Sequence, residues 1–135
     1  MEDRELIRAA IEARRRAYTP YSHYQVGAAL LTENGTLYRG CNIENAAFSP
    51  TCCAERTAFF KAVSEGETRF SAIAIVAGPE GELLTPPTPC GVCRQVMMEF
   101  CDPETFRILL ARGPEDYRSF TLRELLPLGF GPKDL

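Results

Sequence analysis

The strongest constraint in this sequence is the arrangement of three cysteines and one glutamate. Cys53-Ala54-Glu55 lies upstream of Pro89-Cys90-Gly91-Val92-Cys93. Cys90 and Cys93 form a two-thiolate pair of the kind that zinc sites use, and Cys53 can supply a third ligand. Because a structural zinc site normally closes with four protein ligands, three ligands beside a carboxylate indicate a fourth position open to water. The folded chain must therefore bring these two segments together.

Hydrophobic periodicity and turn residues predict a mixed sheet with helices on its faces, which is the α/β class. Asn34-Gly35 is a strong hairpin-turn signal between two strands. The predicted strands are 25–32, 36–42, 70–77 and 106–111, and the predicted helices are 3–18, 53–64, 90–100 and 122–126. A proline-rich segment, 85–89, is expected to be stiff and to lead into the third helix.

These elements place the chemistry at two helix starts. Cys53 and Cys90 would both lie at helix N-termini, where free backbone N–H groups and the helix dipole favour thiolate over thiol. Cys93, one turn beyond Cys90, falls on the same helix face. Glu55 lies close to the metal without having to coordinate it. Spacing alone leaves the choice between Cys52 and Cys53 open, since both are near a helix start.

Composition limits the classes of protein. A chain of 135 residues is expected to form one domain, 1–135, and its net charge of -3 disfavours broad binding to nucleic acid. The charged start, Met1 to Glu5, is unlike a signal peptide, and no apolar stretch approaches bilayer length. We therefore expect a cytoplasmic protein with no membrane partner, whose six cysteines serve as thiols rather than disulfides. The run Arg14-Arg15-Arg16 is expected to be a solvated helix face.

Over nearly its whole length, the sequence resembles the small homotetrameric, zinc-dependent cytidine deaminases of the cytidine and deoxycytidylate deaminase superfamily. Cys-x-Glu with Pro-Cys-x-x-Cys is the three-cysteine form of the zinc deaminase signature. The other matching segments are Pro20-Tyr21-Ser22, Val26-Gly27-Ala28-Ala29, Asn42-Ile43-Glu44-Asn45, Arg56-Thr57-Ala58, Arg94-Gln95, Leu125-Leu126-Pro127 and Phe130. The resemblance implies a three-layer α/β/α fold with a mixed five-stranded sheet.

The resemblance also implies hydrolytic deamination of cytidine and deoxycytidine, as in pyrimidine salvage. One zinc ion per subunit would be bound by Cys53, Cys90 and Cys93, and Glu55 would be the catalytic proton carrier. The implied contacts to the nucleoside are Asn42 and Glu44 to the ribose, Tyr24 along the nucleoside, the Ala54 backbone to the base, and Phe130 from a neighbouring subunit of a homotetramer. Arg56 is expected to offset the negative charge of the thiolates.

Other functions fit parts of the pattern. A structural zinc module that binds another protein would need a fourth ligand, for which the candidates are Cys41, Cys52, Cys101 and His23. A cysteine hydrolase with His23 as base would survive removal of zinc. A deaminase for another small cytosine-containing compound, such as blasticidin, would share the zinc motifs. An editing deaminase that acts on RNA or DNA is disfavoured because the sequence has no basic tract.

Overall fold

The computed structural model describes residues 1–82 and 87–135. The helices and strands in these residues are α1 Asp3–Arg14, β1 Tyr24–Thr32, β2 Leu37–Cys41, α2 Ala54–Ser64, β3 Phe70–Pro79, α3 Gly91–Phe100, β4 Arg107–Gly113, β5 Asp116–Thr121 and α4 Leu122–Leu125, followed by a 3₁₀ turn at Pro132–Asp134. None of the described helices has the length and apolar character needed to cross a membrane.

The five strands form one mixed sheet in the order β2-β1-β3-β4-β5. β1 is antiparallel to both β2 and β3, β3 and β4 are parallel, and β5 is antiparallel to β4. One face packs against α1, and the opposite face packs against α2, α3 and α4. The predicted α/β/α fold with a mixed five-stranded sheet is therefore confirmed.

The Asn34-Gly35 hairpin is also confirmed. Gly35 has φ of +92°, a conformation that glycine adopts at no steric cost. Thr32 N donates to Thr36 O at 2.9 Å, and β1 and β2 pair from Leu31–Leu37 to Gly27–Cys41. Since this register continues to Cys41, the chain leaves β2 directly into Asn42 and Glu44.

One predicted helix boundary was wrong, and one strand was missed. The first helix ends at Arg14 rather than at residue 18, because Tyr18 leaves the helix, pairs with Ile43 and donates its N–H to Asn42 O. Strand β5 was not predicted, because it is an edge strand with no fully buried residue and lacks a clear apolar alternation. Of the predicted stiff segment, Thr85 and Pro86 lie outside the described residues.

The prediction that Arg14-Arg15-Arg16 is a solvated helix face was wrong for Arg14, whereas Arg15 and Arg16 are exposed. The Arg14 side chain is buried, with 8% of the residue exposed. Nε donates to Gln25 O at 3.2 Å, and Nη2 donates to Gly78 O at 3.0 Å and also to Pro79 O. The guanidinium thereby satisfies carbonyls at the start of β1 and the end of β3, which fixes the sheet end near the cleft described below.

Gly40 sets the approach of α2 to the sheet. A Cβ atom at this position would lie 2.3 Å from Ala54 O and 2.6 Å from Ala58 N. Any side chain here would collide with the helix backbone, so only glycine allows the first turn of α2 to lie so close to β2. This contact fixes the distance between the sheet and the N-terminal end of α2, which carries Cys53 and Glu55.

Candidate metal centre and cleft

Two helix N-termini bring the three predicted cysteines together. Cys53 is the N-cap of α2, Cys90 is the N-cap of α3, and Cys93 lies in the first turn of α3. The three sulfur atoms lie within 4.8 Å of one another, and those of Cys53 and Cys90 are 3.7 Å apart. The adjacent Cys52 is outside this group and instead accepts a hydrogen bond from Thr57 Oγ1. The choice that spacing left open therefore falls on Cys53.

The donor set fits zinc. A tetrahedral zinc ion with Zn–S bonds of about 2.3 Å separates its sulfur ligands by about 3.8 Å, which matches the distance between Cys53 and Cys90. Cys93 N also donates to Cys90 Sγ at 3.5 Å, so a backbone N–H already supports negative charge on that sulfur. Across residues 1–82 and 87–135, the ligand group contains these three cysteines and not Cys41, Cys52, Cys101 or His23.

Hydrogen bonds place negative charge on the Cys53 sulfur. The pKa of Cys53 falls to about 5, first because Cys93 shares its proton with the Cys53 sulfur and then because Arg56 donates to it. The pKa of Cys93 is raised, mainly by the same bond to Cys53 and by burial. Arg56 Nη2 lies 3.3 Å from Cys53 Sγ, as expected for a guanidinium that offsets thiolate charge. Among the described residues, Arg56 Nε is buried without a hydrogen-bond partner.

Glu55 is a buried carboxylate beside these sulfurs. It is 4% exposed, and burial raises its pKa to about 7. The negative charge on Cys53 adds to the increase in the pKa, whereas Arg56 opposes it. A carboxyl group that titrates near neutral pH can both accept and donate a proton, which is the property a general acid–base catalyst needs.

A cleft of about 480 Å³ opens over the metal centre and Glu55. Its walls comprise Tyr24, Val26, Asn42, Thr51, Cys52, Cys53, Glu55, Ile75, Ala77, Pro87, Thr88 and Cys90. Five predicted site residues therefore line one cavity, namely Tyr24, Asn42, Cys53, Glu55 and Cys90. Ala54 is fully buried at the start of α2, between Cys53 and Glu55.

Asn42 lines this cleft and Glu44 lies beside it, and both are hydrogen-bonded to the backbone in or just before β1. Asn42 Oδ1 accepts from Val26 N, and its Nδ2 donates to Tyr24 O, both at 2.9 Å. Since an amide group has two N–H donors, one of them remains for a ligand. Glu44 lies in an adjoining cavity of about 410 Å³ that shares Thr51 with the main cleft.

The Glu44 carboxylate is held by a loop to which the sequence prediction gave no role. Oε1 accepts from Tyr21 N at 3.0 Å and from Ser22 N at 3.1 Å, and Oε2 accepts from Ser22 Oγ. The bond from Ser22 is the main reason that the pKa of Glu44 is lowered. The match of Pro20-Tyr21-Ser22 to the family was the one sequence feature that could have pointed to this loop.

Phe130 is a predicted site residue that does not reach the cleft of its own chain. Within the described part of a single chain, Phe130 does not line the cleft; its side chain is on the surface, with 58% of the residue exposed. Its backbone carbonyl is bound to α3 by Gln95 Nε2 at 2.9 Å.

A three-cysteine centre with a buried glutamate, set between two helix N-termini on a mixed sheet, defines the class of zinc deaminases. The family model described as the cytidine and deoxycytidylate deaminase zinc-binding region matches residues 1–108. The chain therefore belongs to the cytidine and deoxycytidylate deaminase family, a zinc-binding family in keeping with the donor set found here.

Curated relatives and solved structures agree with this family. A cytidine deaminase from Sporosarcina psychrophila is 51% identical over 135 residues, which cover 100% of this chain and 96% of the relative. A cytidine deaminase from Halalkalibacterium halodurans is 49% identical over 135 residues, which cover 100% of this chain and 98% of that relative. The crystal structure of a cytidine deaminase from Burkholderia pseudomallei superimposes with a TM-score of 0.87 at 45% identity, covering 96% of this chain and 100% of that one.

Proposed function

We propose that this chain hydrolyses the 4-amino group of cytidine and deoxycytidine, which yields uridine or deoxyuridine and ammonia. The observation that carries the proposal is the buried Glu55 carboxyl beside three cysteine sulfurs in a cleft of about 480 Å³. The names of the relatives, which match this chain over its whole length, support the same substrate class. The proposal includes a single catalytic domain over residues 1–135.

In this proposal, Cys53, Cys90 and Cys93 hold one zinc ion. When bound, zinc supplies Lewis acidity that makes water a better nucleophile at neutral pH. Glu55 takes a proton from the attacking water and delivers it to N3 of the pyrimidine. The carboxylate then takes a second proton from the new C4 hydroxyl and passes it to the amine, so that C4 becomes a carbonyl as the C4–N bond breaks and ammonia leaves. A pKa of about 7 suits both directions of transfer.

The nucleoside would bind across the two joined cavities. The free N–H of Asn42 and the Glu44 carboxylate are the proposed partners of the ribose hydroxyls, and Tyr24 the wall along which the nucleoside packs. The backbone of Ala54, beside Glu55, would bind the polar edge of the base. Support comes from Glu44, whose carboxylate is kept ionised and oriented by Ser22 and is ready to accept from a sugar hydroxyl.

Glu44→Gln is expected to lower kcat/KM for cytidine by at least about tenfold, because a charge-assisted hydrogen bond to the sugar is lost. The amide also cannot accept from all three donors of Tyr21 and Ser22. Free cytosine should be a very poor substrate of the parent protein. Steady-state kinetics on cytidine, deoxycytidine and cytosine are the measurement; equal efficiency on cytosine and cytidine, or unchanged cytidine kinetics in Glu44→Gln, would contradict the ribose contact.

We further propose that the active species is a homotetramer in which Phe130 covers the base bound in a neighbouring subunit. The exposed position of Phe130 outside its own cleft supports a role in another copy. A cytoplasmic location is also proposed, because the six free cysteines suit a reducing compartment.

A mixture of Glu55→Gln and Phe130→Ala subunits is expected to be more active than either variant alone. A hybrid assembly contains sites with Glu55 from one subunit and Phe130 from the other, whereas each homogeneous variant lacks one group at every site. Activity after co-expression and tandem-tag purification is the measurement. Light scattering that shows a fully active monomer would contradict shared sites.

Arg56 is proposed to offset thiolate charge and, through it, to tune Glu55. Because Arg56 lowers the pKa of Glu55, Arg56→Gln should raise that pKa. Glu55 must be ionised to take the first proton, so the acidic limb of the pH–rate profile should move to higher pH, with lower turnover at neutral pH. If the pH–rate profile of Arg56→Gln matched that of the parent in both its rate and the pKa of its acidic limb, Arg56 would not have this charge-balancing role. Arg8→Gln, exposed on α1, is the control.

The substrate assignment is tested by a direct comparison of pure compounds. Purified protein with its zinc content measured should convert cytidine and deoxycytidine efficiently, with loss of the cytosine absorbance and release of ammonia. Blasticidin S should be converted slowly or not at all. Faster conversion of blasticidin S than of either nucleoside would favour the alternative deaminase, whereas zinc binding without any turnover would favour a structural zinc module.

A further inference from the structure

The C-terminal loop, residues 126–131, carries apolar side chains that face away from its own chain. Leu128 is 98% exposed and has φ of +54°, and Phe130 is also largely exposed. The loop is nevertheless tied down at its backbone: Gln95 Nε2 donates to Phe130 O at 2.9 Å, and Gly131 N donates to Asp134 Oδ2 at 2.8 Å. Hydrogen bonds to its backbone therefore hold the loop in place, while the side chains of Leu128 and Phe130 remain available to a partner.

Arg94 ties the start of the same loop to the metal-binding segment. Its Nε donates to Pro89 O at 2.8 Å, and its Nη1 donates to Leu125 O. One half-buried guanidinium thus joins the residue before Cys90 to the residue before the loop. Because the guanidinium is planar with donors in fixed directions, it holds these two carbonyls in a defined relative position.

Close packing on α3 restricts the loop further. A Cβ atom at Gly129 would lie 3.0 Å from the Leu126 side chain and 3.2 Å from Met98 Sδ, and one at Gly131 would lie 3.1 Å from Met98 Cε. The loop backbone therefore lies directly on Met98. Arg94, Gln95 and Met98 belong to one helix, so α3 supports both the Cys90–Cys93 pair and the C-terminal loop.

From these contacts, we propose that Arg94 and Gln95 are positioning residues that hold the C-terminal loop so that Phe130 is presented in one orientation to a second copy of this chain. This inference rests on the proposed function, in which Phe130 covers the base in a neighbouring site. The effect of both residues on substrate binding is then exerted in the neighbour and not in their own cleft.

Two variants test the role. Gln95→Glu keeps the size of an exposed side chain but replaces the donor with a carboxylate that faces the Phe130 carbonyl. Arg94→Met keeps much of the apolar stem and removes the donors to Pro89 and Leu125. Each should raise KM for cytidine by about five- to tenfold, as expected when one hydrogen bond that holds the loop or its start is lost, with a smaller change in kcat and zinc at the parent level. Arg8→Met, exposed on α1, is the matched control.

Hybrid assemblies separate action in the neighbour from action in the same subunit. When Arg94→Met is co-expressed with Glu55→Gln under two tags, every site with Glu55 belongs to an Arg94→Met subunit, but some receive their loop from a Glu55→Gln subunit. We expect a component with the parent KM. If KM in the hybrids equals that of Arg94→Met alone, or if Arg94→Met loses zinc, the residue acts through Pro89 and Cys90, and the inference is overturned.

Hydrogen exchange tests the inference without any catalytic readout. Amides of residues 126–131 should exchange at least about tenfold faster in Gln95→Glu and Arg94→Met than in the parent or in Arg8→Met, since local opening becomes easier when its restraints are lost. Faster exchange supports loop positioning even if the parent failed to deaminate cytidine, which would instead refute the proposed function. Unchanged exchange in both variants would overturn the inference while leaving the deaminase proposal intact.

Discussion

Glu55→Gln is expected to reduce turnover of cytidine by at least about 10²–10⁴-fold, the usual contribution of general acid–base catalysis, with zinc retained. The amide keeps the size of the side chain but cannot carry a proton between water, N3 and the leaving amine. Since Glu55 is proposed to act at several steps, the loss can exceed this range. Single-turnover kinetics and zinc content measured on the same sample separate a lost proton carrier from a lost metal.

The control for this substitution is Glu99→Gln, an exposed carboxylate on α3. It makes the same chemical change as Glu55→Gln, from a carboxyl group to an amide, and its activity should stay close to that of the parent. A Glu55→Gln protein that turns over within a few-fold of the parent would place the proton carrier elsewhere. Loss of zinc from Glu55→Gln would instead mean that the carboxylate supports the metal.

Cys90→Ala is expected to remove both zinc and activity and to lower the melting temperature. Cys90 is one of three sulfurs in the group, and its loss also leaves the start of α3 without the side chain that accepts from Cys93 N. Because binding of a structural or catalytic metal contributes directly to folding free energy, a site with two thiolates should be both weaker and less stable. Elemental analysis and thermal unfolding are the measurements.

Two other cysteines provide matched controls for Cys90→Ala. Cys41 lies in β2 and Cys52 directly precedes a proposed ligand, yet neither belongs to the three-sulfur group. Cys41→Ala and Cys52→Ala should therefore keep one zinc ion per subunit. Full activity of zinc-stripped Cys90→Ala would refute the ligand assignment. So would the opposite pattern at the neighbouring cysteines, in which Cys52→Ala loses zinc and Cys53→Ala keeps as much zinc as the parent.

The metal-binding residues could be predicted from the sequence because their geometry is mostly local. Cys90 and Cys93 are one helical turn apart at the start of a helix, so their spacing predicts that both sulfurs can reach one ion. The choice of Cys53 over Cys52 came from the Cys-Ala-Glu signature and not from spacing. The hairpin was predictable for a similar reason, since Asn34-Gly35 specifies its own turn.

Features that depend on contacts between distant segments were not predictable in this way. Arg14 sits in a run of arginines that reads as solvated, and only the fold brings the carbonyls of Gln25 and Gly78 to it. The support of Glu44 by Ser22 likewise spans two segments. Strand β5 is recruited by pairing with β4 and not by an apolar pattern of its own.

The central claim is hydrolytic deamination at C4, and incubation with cytidine in water enriched in ¹⁸O tests it most directly. Zinc-loaded parent protein should release one ammonia for each uridine formed, and the uridine should carry one ¹⁸O atom at C4, because the new carbonyl oxygen comes from water. Removal of zinc should stop both products together, and its return should restore them. If the zinc-loaded protein released no ammonia from cytidine, or formed uridine without the label, the account would be contradicted.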